Sequence, residues 1–310
     1  MLILAPMQGL TEVMFRRAYN AVFPGALDLA VSPFLSLTHG DLRHALEKVD
    51  DVLPERNVGA MPVVPQLLGR EPEEFVALAN RLYELGYGEV NWNVGCPMRR
   101  VAAKHRGSGL LPHPEEMRAV LDAVVPQLKP RLSVKVRLGY TNPREIFAVV
   151  PVLNDYPIAS VTVHPRTGRQ QYGGVPDLAT FAEVLPLIHS RVIYNGDIVT
   201  AADYRALRSR FPQVEDVMIG RGVLYNPLLP CEIKGEETAP RRAADFLRML
   251  LAAILERPVT DEAKVRKIKE YWCLSYRSLH LTESRRNEVL HAATLPATVA
   301  ALERLLEEYA

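Results

Sequence analysis

Three kinds of feature are scarce in this chain. Only three cysteines occur in 310 residues, Cys96, Cys231 and Cys273, and no two of them form a Cys-x-x-Cys pair. That excludes a disulfide framework and a zinc site built on paired cysteines. Isolated thiols suit a reducing compartment, so a cytoplasmic protein is expected. Net charge is nearly absent, at +1. The molecule as a whole is therefore no polyanion binder, although one face can still be basic. No apolar run approaches the ~20 residues of a membrane span. The opening MLILAPMQG has no basic n-region, and its apolar run is too short for a secretory leader. A monomer without a metal ion is expected.

What is present is a repeated alternation. Eight β-rich runs occur in order, at 2–7, 28–37, 61–69, 88–95, 131–140, 160–166, 191–198 and 216–224. Several are near-continuous apolar runs, as expected of strands covered on both faces. Helical patterns lie between them. Phe75, Leu78, Leu82 and Leu85 recur at helical spacing between Pro72 and Gly86, and Met117, Val120, Leu121, Val124 and Leu128 follow Pro114. Eight such units predict a (β/α)₈ TIM barrel over 1–235. A charged stretch at 234–242 reads as a linker. Residues 240–310 read as a small C-terminal helical domain, with helices near Phe246–Ile254, 261–279 and 296–309.

Active sites of such barrels lie at the C-terminal ends of the strands. The ends of these runs are polar. Lys135 lies inside a strand, where its charge needs either a salt bridge or an anionic ligand, such as a reduced flavin. Asn195-Gly196-Asp197 and Gly220-Arg221-Gly222 occupy the two loops that often bind phosphate in barrels. Cys96, between Gly95 and Pro97, is either an inert buried thiol or a proton donor, because a thiol is mostly protonated at neutral pH. The basic segment after it holds Arg99, Arg100, Lys104 and Arg106 without an acid. It is either a solvated loop or a phosphate contact. A second basic stretch at 264–269 includes Lys267 and Lys269. There the lysines are expected on the surface, and Tyr271, Trp272 and Tyr276 in a bundle core.

Seven segments, in order, carry a family resemblance: APMQG at 5–9, PQLLG at 65–69, NVGCP at 93–97, SVKVRLG at 133–139, VHPRTG at 163–168, YNGD at 194–197 and MIGRG at 218–222. Together they resemble the tRNA-dihydrouridine synthases, flavin-dependent enzymes that reduce uridine in the D loop of tRNA. The resemblance implies FMN, with NADPH or NADH as reductant. It implies Pro6, Met7 and Gln8 against the flavin ring, and Gln66, Lys135 and His164 bonded to the flavin. Asn195, Gly196, Asp197, Gly220 and Arg221 would hold its phosphate. Cys96 would be the general acid, and Asn93 and Arg137 would hold the target uracil. Arg99, Lys104, Arg106, Lys267 and Lys269 are then candidate tRNA contacts, with residues 240–310 a tRNA-binding domain. Gln8 and Pro165 depart from the common family pattern. The rival readings are an FMN barrel enzyme acting on a free pyrimidine or another small molecule, and a non-catalytic RNA-binding barrel.

Overall fold

The structure, a computed structural model, describes residues 1–36 and 48–309, with only the backbone of Lys48. Leu37, the end of the second expected run, lies outside them. Short aliphatic stretches form ten strand segments: β1 (Leu2–Leu4), β2 (Leu29–Val31), β3 (Leu35–Ser36), β4 (Val63–Val64), β5 (Gln66–Leu68), β6 (Glu89–Val94), β7 (Arg131–Gly139), β8 (Ile158–Thr167), β9 (Arg191–Asn195) and β10 (Asp216–Ile219). Every neighbouring pair is parallel, in the order β3-β5-β6-β7-β8-β9-β10-β1-β2-β4.

The two ends of that order meet. β2 and β3 are successive stretches of one strand, and β4 and β5 are successive stretches of another, parted at Pro65, which has no N–H to give a ladder. β2 pairs with β4, and β3 with β5. The Ser32 N–H donates to Val64 O, and the Asn91 N–H to Pro65 O. The ladder thus runs through both breaks, and eight strands close into the expected barrel. The eighth run is shorter than expected. β10 stops at Ile219, and the residues from Arg221 onward begin a helix.

The helices are α1 (Val13–Val22), α2 (Pro72–Glu84), α3 (Arg99–Ala102), α4 (Pro114–Val124), α5 (Ile146–Asn154), α6 (Leu178–Val184), α7 (Ala201–Arg210), α8 (Arg221–Tyr225), α9 (Leu229–Lys234), α10 (Pro240–Leu255), α11 (Asp261–Ser275), α12 (Glu283–His291) and α13 (Leu295–Glu307). α2 and α4 form as their sequences dictate. Each has proline in its first turn, acids beside it, and an apolar stripe turned inward. α12 was not expected. Its one buried residue is Val289, so it carries almost no apolar period.

Side chains alternate across the barrel wall, a pattern hidden in the runs. Ile3, Ala5, Val31, Ile193 and Met218 form a small inner cluster. Leu2, Leu4, Val217 and Ile219 belong to the larger outer core. On β6, Val90, Trp92 and Val94 join that outer core, which turns Asn91 and Asn93 inward. On β7 and β8 the same rule turns Ser133, Lys135, Arg137, Thr162, His164 and Arg166 inward. Half of the barrel interior is therefore apolar, and the half from β5 to β8 is polar.

The outer core continues into the C-terminal helices. Phe246 of α10 packs against Phe15, Tyr19 and Phe23 of the α1 region, at centroid distances of 5.3, 5.7 and 6.2 Å. We propose residues 235–239, between α9 and α10, as the boundary of the helical segment. Phe246→Ala is expected to cost about 3–5 kcal/mol, by loss of buried aromatic area and creation of a cavity. A lower urea midpoint at unchanged slope would register this.

Candidate active site

The polar half of the barrel interior is wired as one chain of amides. Gln66 Nε2 donates to Asn91 Oδ1 at 2.8 Å, and Asn91 Nδ2 donates to Ser133 Oγ at 3.0 Å. Asn93 Nδ2 donates to Gln66 Oε1 at 2.7 Å. Asn93 Oδ1 accepts from the N–H groups of Gly95 and Cys96, at 3.0 and 2.8 Å. Asn93 thus grips the loop that carries the thiol. It was expected at the uracil, yet its carbonyl and one amide hydrogen serve the protein itself. Gln66 is completely buried, and both ends of its amide are likewise engaged.

Cys96 stands just beyond β6 and is 7% exposed. Its carbonyl accepts from both the N–H and the hydroxyl of Ser108. Gly107 has φ +54°, and a Cβ there would lie 2.8 Å from Cys96 Cβ, so only glycine closes this loop over the thiol. Burial pushes the Cys96 thiol up from its ordinary value, against the pull of nearby Arg137, Arg100 and Lys135. It stays protonated at neutral pH and has a proton to give.

Below the thiol lies an excess of cations. Register places Lys135 beside Asn93 on one side and Thr162 on the other, and Arg137 beside His164. Burial, then Arg137, pulls the Lys135 ammonium down to about 7. Burial likewise lowers Arg137 to about 10. Arg137 Nε donates to Gly95 O, and its Nη1 to Thr167 O and Gln171 O. Among the described residues, neither Lys135 nor Arg137 has a carboxylate partner. The bland reading of Lys135, a salt bridge within the barrel, is therefore not what the structure shows.

The remaining charges are held around Asp197. Arg166, fully buried, donates to both of its carboxylate oxygens, at 2.9 and 2.5 Å, and Arg221 donates to Oδ1 at 2.7 Å. Burial opposes the Asp197 charge, but these two guanidiniums hold its carboxyl below the usual range. Asp197 was expected to hold phosphate. Its carboxylate is spent on the arginines and would repel a phosphate, so its part is to aim them. Arg166 was missed in the sequence, although it lies two residues past His164 on the same face of β8. Burial and the surrounding Arg137, Lys135, Arg166 and Arg221 keep His164 neutral. Arg166 Nη1 is 3.3 Å from His164 Nε2. A guanidinium only donates, so Nε2 accepts and Nδ1 carries the proton. Tyr172, half-exposed and also missed, lies 5.7 Å from Arg137 and 5.2 Å from Arg221, ring centroid to guanidinium carbon.

The first, seventh and eighth strand ends frame this cluster. Pro6 and Met7 are partly buried, and Gln8 is exposed. Met7 Sδ would lie 3.1 Å from a Cβ on Gly220. Asn195 Nδ2 donates to Met218 O and ties β9 to β10. Gly196 lies against the Tyr194 hydroxyl.

The basic segment after Cys96 divides. Arg99, Arg100 and Lys104 are exposed. Arg106 instead turns inward to Glu71 at 2.6 Å, so its charge is already paired and it is no open phosphate contact. Lys267 and Lys269 also differ from expectation. Lys267 Nζ donates to Gly9 O and Lys269 Nζ to Ala292 O, so each partly buried ammonium is tied to a backbone carbonyl. Tyr271, Trp272 and Tyr276 are buried, as expected. His105, His113 and Glu116 bring ligand-type atoms within 4.8 Å of one another. The two imidazoles are stacked 13° from parallel, so their lone pairs do not converge, and Arg70 pairs with Glu116. The cluster reads as an ion-paired brace.

Among the described residues, no helix is long and apolar enough to cross a membrane. Solved structures share the fold. Morphinone reductase aligns with a TM-score of 0.54 at 14% identity, covering 79% of this chain and 88% of that one. The old yellow enzyme homologue from Zymomonas mobilis gives 0.53 at 12% identity, over 76% and 88%. At those identities the likeness is one of fold. Sequence relatives go further. A tRNA-dihydrouridine(16) synthase of Ralstonia nicotianae is 30% identical over 269 residues, covering 82% of this chain and 81% of the relative. One of Pseudomonas syringae pv. tomato is 31% identical over 260 residues, covering 80% of each. A probable tRNA-dihydrouridine synthase of Staphylococcus aureus (strain Mu50) is 24% identical over 314 residues, covering 99% and 92%. Residues 3–270 match the family described as Dihydrouridine synthase (Dus), and the chain belongs to that family.

Proposed function

We propose that this chain uses FMN, reduced by NADPH or NADH, to convert a uridine in the D loop of tRNA to 5,6-dihydrouridine. The observation that carries this reading is the pair of inward-facing cations Lys135, partly buried, and Arg137, buried, lacking any carboxylate among the described residues, beneath a protonated Cys96. Cations left unpaired inside a barrel call for an anionic ligand. The residues fit FMN on that ground. Lys135 and His164 would face the flavin, with Pro6 and Met7 along one side. Arg221, steadied by Asp197, and the turns at Gly196 and Gly220 would take its phosphate.

When bound, reduced FMN would supply a hydride to C6 of the uracil. Cys96 then gives its proton to C5, forming the second C–H bond and leaving a thiolate that solvent reprotonates. Asn93 holds the thiol-bearing loop, and Arg137 steadies negative charge on the uracil as it develops. The base must leave the RNA stack to reach this depth, which costs a few kcal/mol and less in a loop. Arg99 and Lys104 are placed to offset that cost by contacting phosphates. We take position 16 as the target, because the relatives of Ralstonia and Pseudomonas are named for it. Three free cysteines fit a reducing cytoplasm.

Incubating the purified chain with unmodified tRNA, FMN and NADPH should give a 2 Da mass gain in the D-loop fragment, the two hydrogens of the product. No gain with tRNA, but turnover of free uracil, would favour the small-molecule rival. Cys96→Ala should keep FMN and lower the rate by about a hundredfold or more, as loss of a general acid does. The wild-type rate should hold through neutral pH and fall as pH rises past the elevated thiol value, because the acid must stay protonated. A flat alkaline limb would remove Cys96 from that role.

A further inference from the structure

The turn after β1 is pinned from outside the barrel. Met7 O accepts from the Leu10 and Thr11 N–H groups, and Met7 N–H donates to Thr11 Oγ1. Gly9, at φ +78°, makes this turn possible. Three successive carbonyls then point away from it, and each meets a side chain. Lys267 Nζ donates to Gly9 O at 2.7 Å, Tyr271 Oη to Leu10 O at 2.5 Å, and Arg16 Nη1 to Thr11 O at 2.9 Å. Two of the three side chains come from α11, more than 250 residues along the chain from the turn they hold.

The bonds are well protected. Lys267 is 16% exposed and also pairs with Glu270, while its ammonium sits 5.7 Å from the Tyr271 ring centroid. Tyr271 is buried, and Arg16 is fully buried and paired with Asp51. A charged donor and a buried hydroxyl on adjacent carbonyls leave the turn little freedom to rotate. The turn carries Met7, whose sulfur packs at Gly220.

We propose that Lys267 and Tyr271 are positioning residues for the cofactor: α11 sets the turn that lays Met7 along the flavin, so the C-terminal helices complete the FMN site as well as serving any RNA contact. This rests on the flavin reading above.

The test is a fluorescence titration of FMN into the wild type, Lys267→Met, Lys267→Arg, Tyr271→Phe and Lys264→Met, with hydrogen exchange of residues 7–11 on the same proteins. Lys264 donates to Leu255 O inside the helical segment and serves as the control. Lys267→Met is expected to weaken FMN binding about tenfold, the factor that goes with a charged hydrogen bond. It should also speed exchange in the turn, with Tyr271→Phe acting in the same direction. Lys267→Arg should restore both, and Lys264→Met should change neither. Wild-type FMN affinity in Lys267→Met, with only a raised KM for tRNA, would overturn the proposal and make Lys267 an RNA contact. A wild-type chain that binds no FMN would remove the flavin reading and the proposal with it.

Discussion

Lys135 brings a positive charge into the wall of a closed barrel, next to Arg137, with no carboxylate among the described residues to meet it. The rest of the site is arranged around that imbalance. Among the described residues the one acid in the cluster, Asp197, is occupied by Arg166 and Arg221. His164 adds no charge, because burial and its cationic neighbours keep it neutral. A partly buried ammonium with no counter-charge weighs against the folded state. An anionic ligand would offset that cost, and the flavin proposed above would be such a ligand.

The same charges bear on the thiol. Neighbouring cations favour a thiolate, whereas burial favours the thiol, and at Cys96 burial wins. The loop geometry works to the same end. Asn93, Ser108 and Gly107 hold the Cys96 loop closely, which leaves the residue 7% exposed. A buried, protonated sulfur is suited to giving up a proton rather than to attacking a carbon. The packing of this loop thus supports the proposed acid role.

The barrel was legible because eight strand-like runs with helical stripes between them leave few other ways to bury so much apolar surface. The alternation is plain in SVKVRLG, where the valines and leucine face outward and Ser133, Lys135 and Arg137 inward. It is hidden in strands such as β1, where the residues of both faces are apolar. Arg166 carries the inward alternation of β8 one step past His164, and only the fold shows it paired with Asp197. Charge alone also does not tell how Arg106, Lys267 and Lys269 are partnered. A basic sequence looks like an RNA surface whether its ammonium groups face solvent or cap carbonyls, and only the folded chain distinguishes Lys267 on Gly9 O from an exposed Lys104. The helix at Glu283–His291 could not be read, because a helix that buries one valine carries almost no period.

The central claim, that a charge left unpaired by folding is completed by the cofactor, has a direct measurement. Burial and Arg137 pull Lys135 down to about 7, and an anion bound beside it would raise it again and draw in a proton. Calorimetric titration of FMN at pH 8, in buffers of differing ionisation enthalpy, reports the protons taken up. The account predicts net proton uptake by the wild type that Lys135→Met loses. Equal uptake by the two proteins would contradict it.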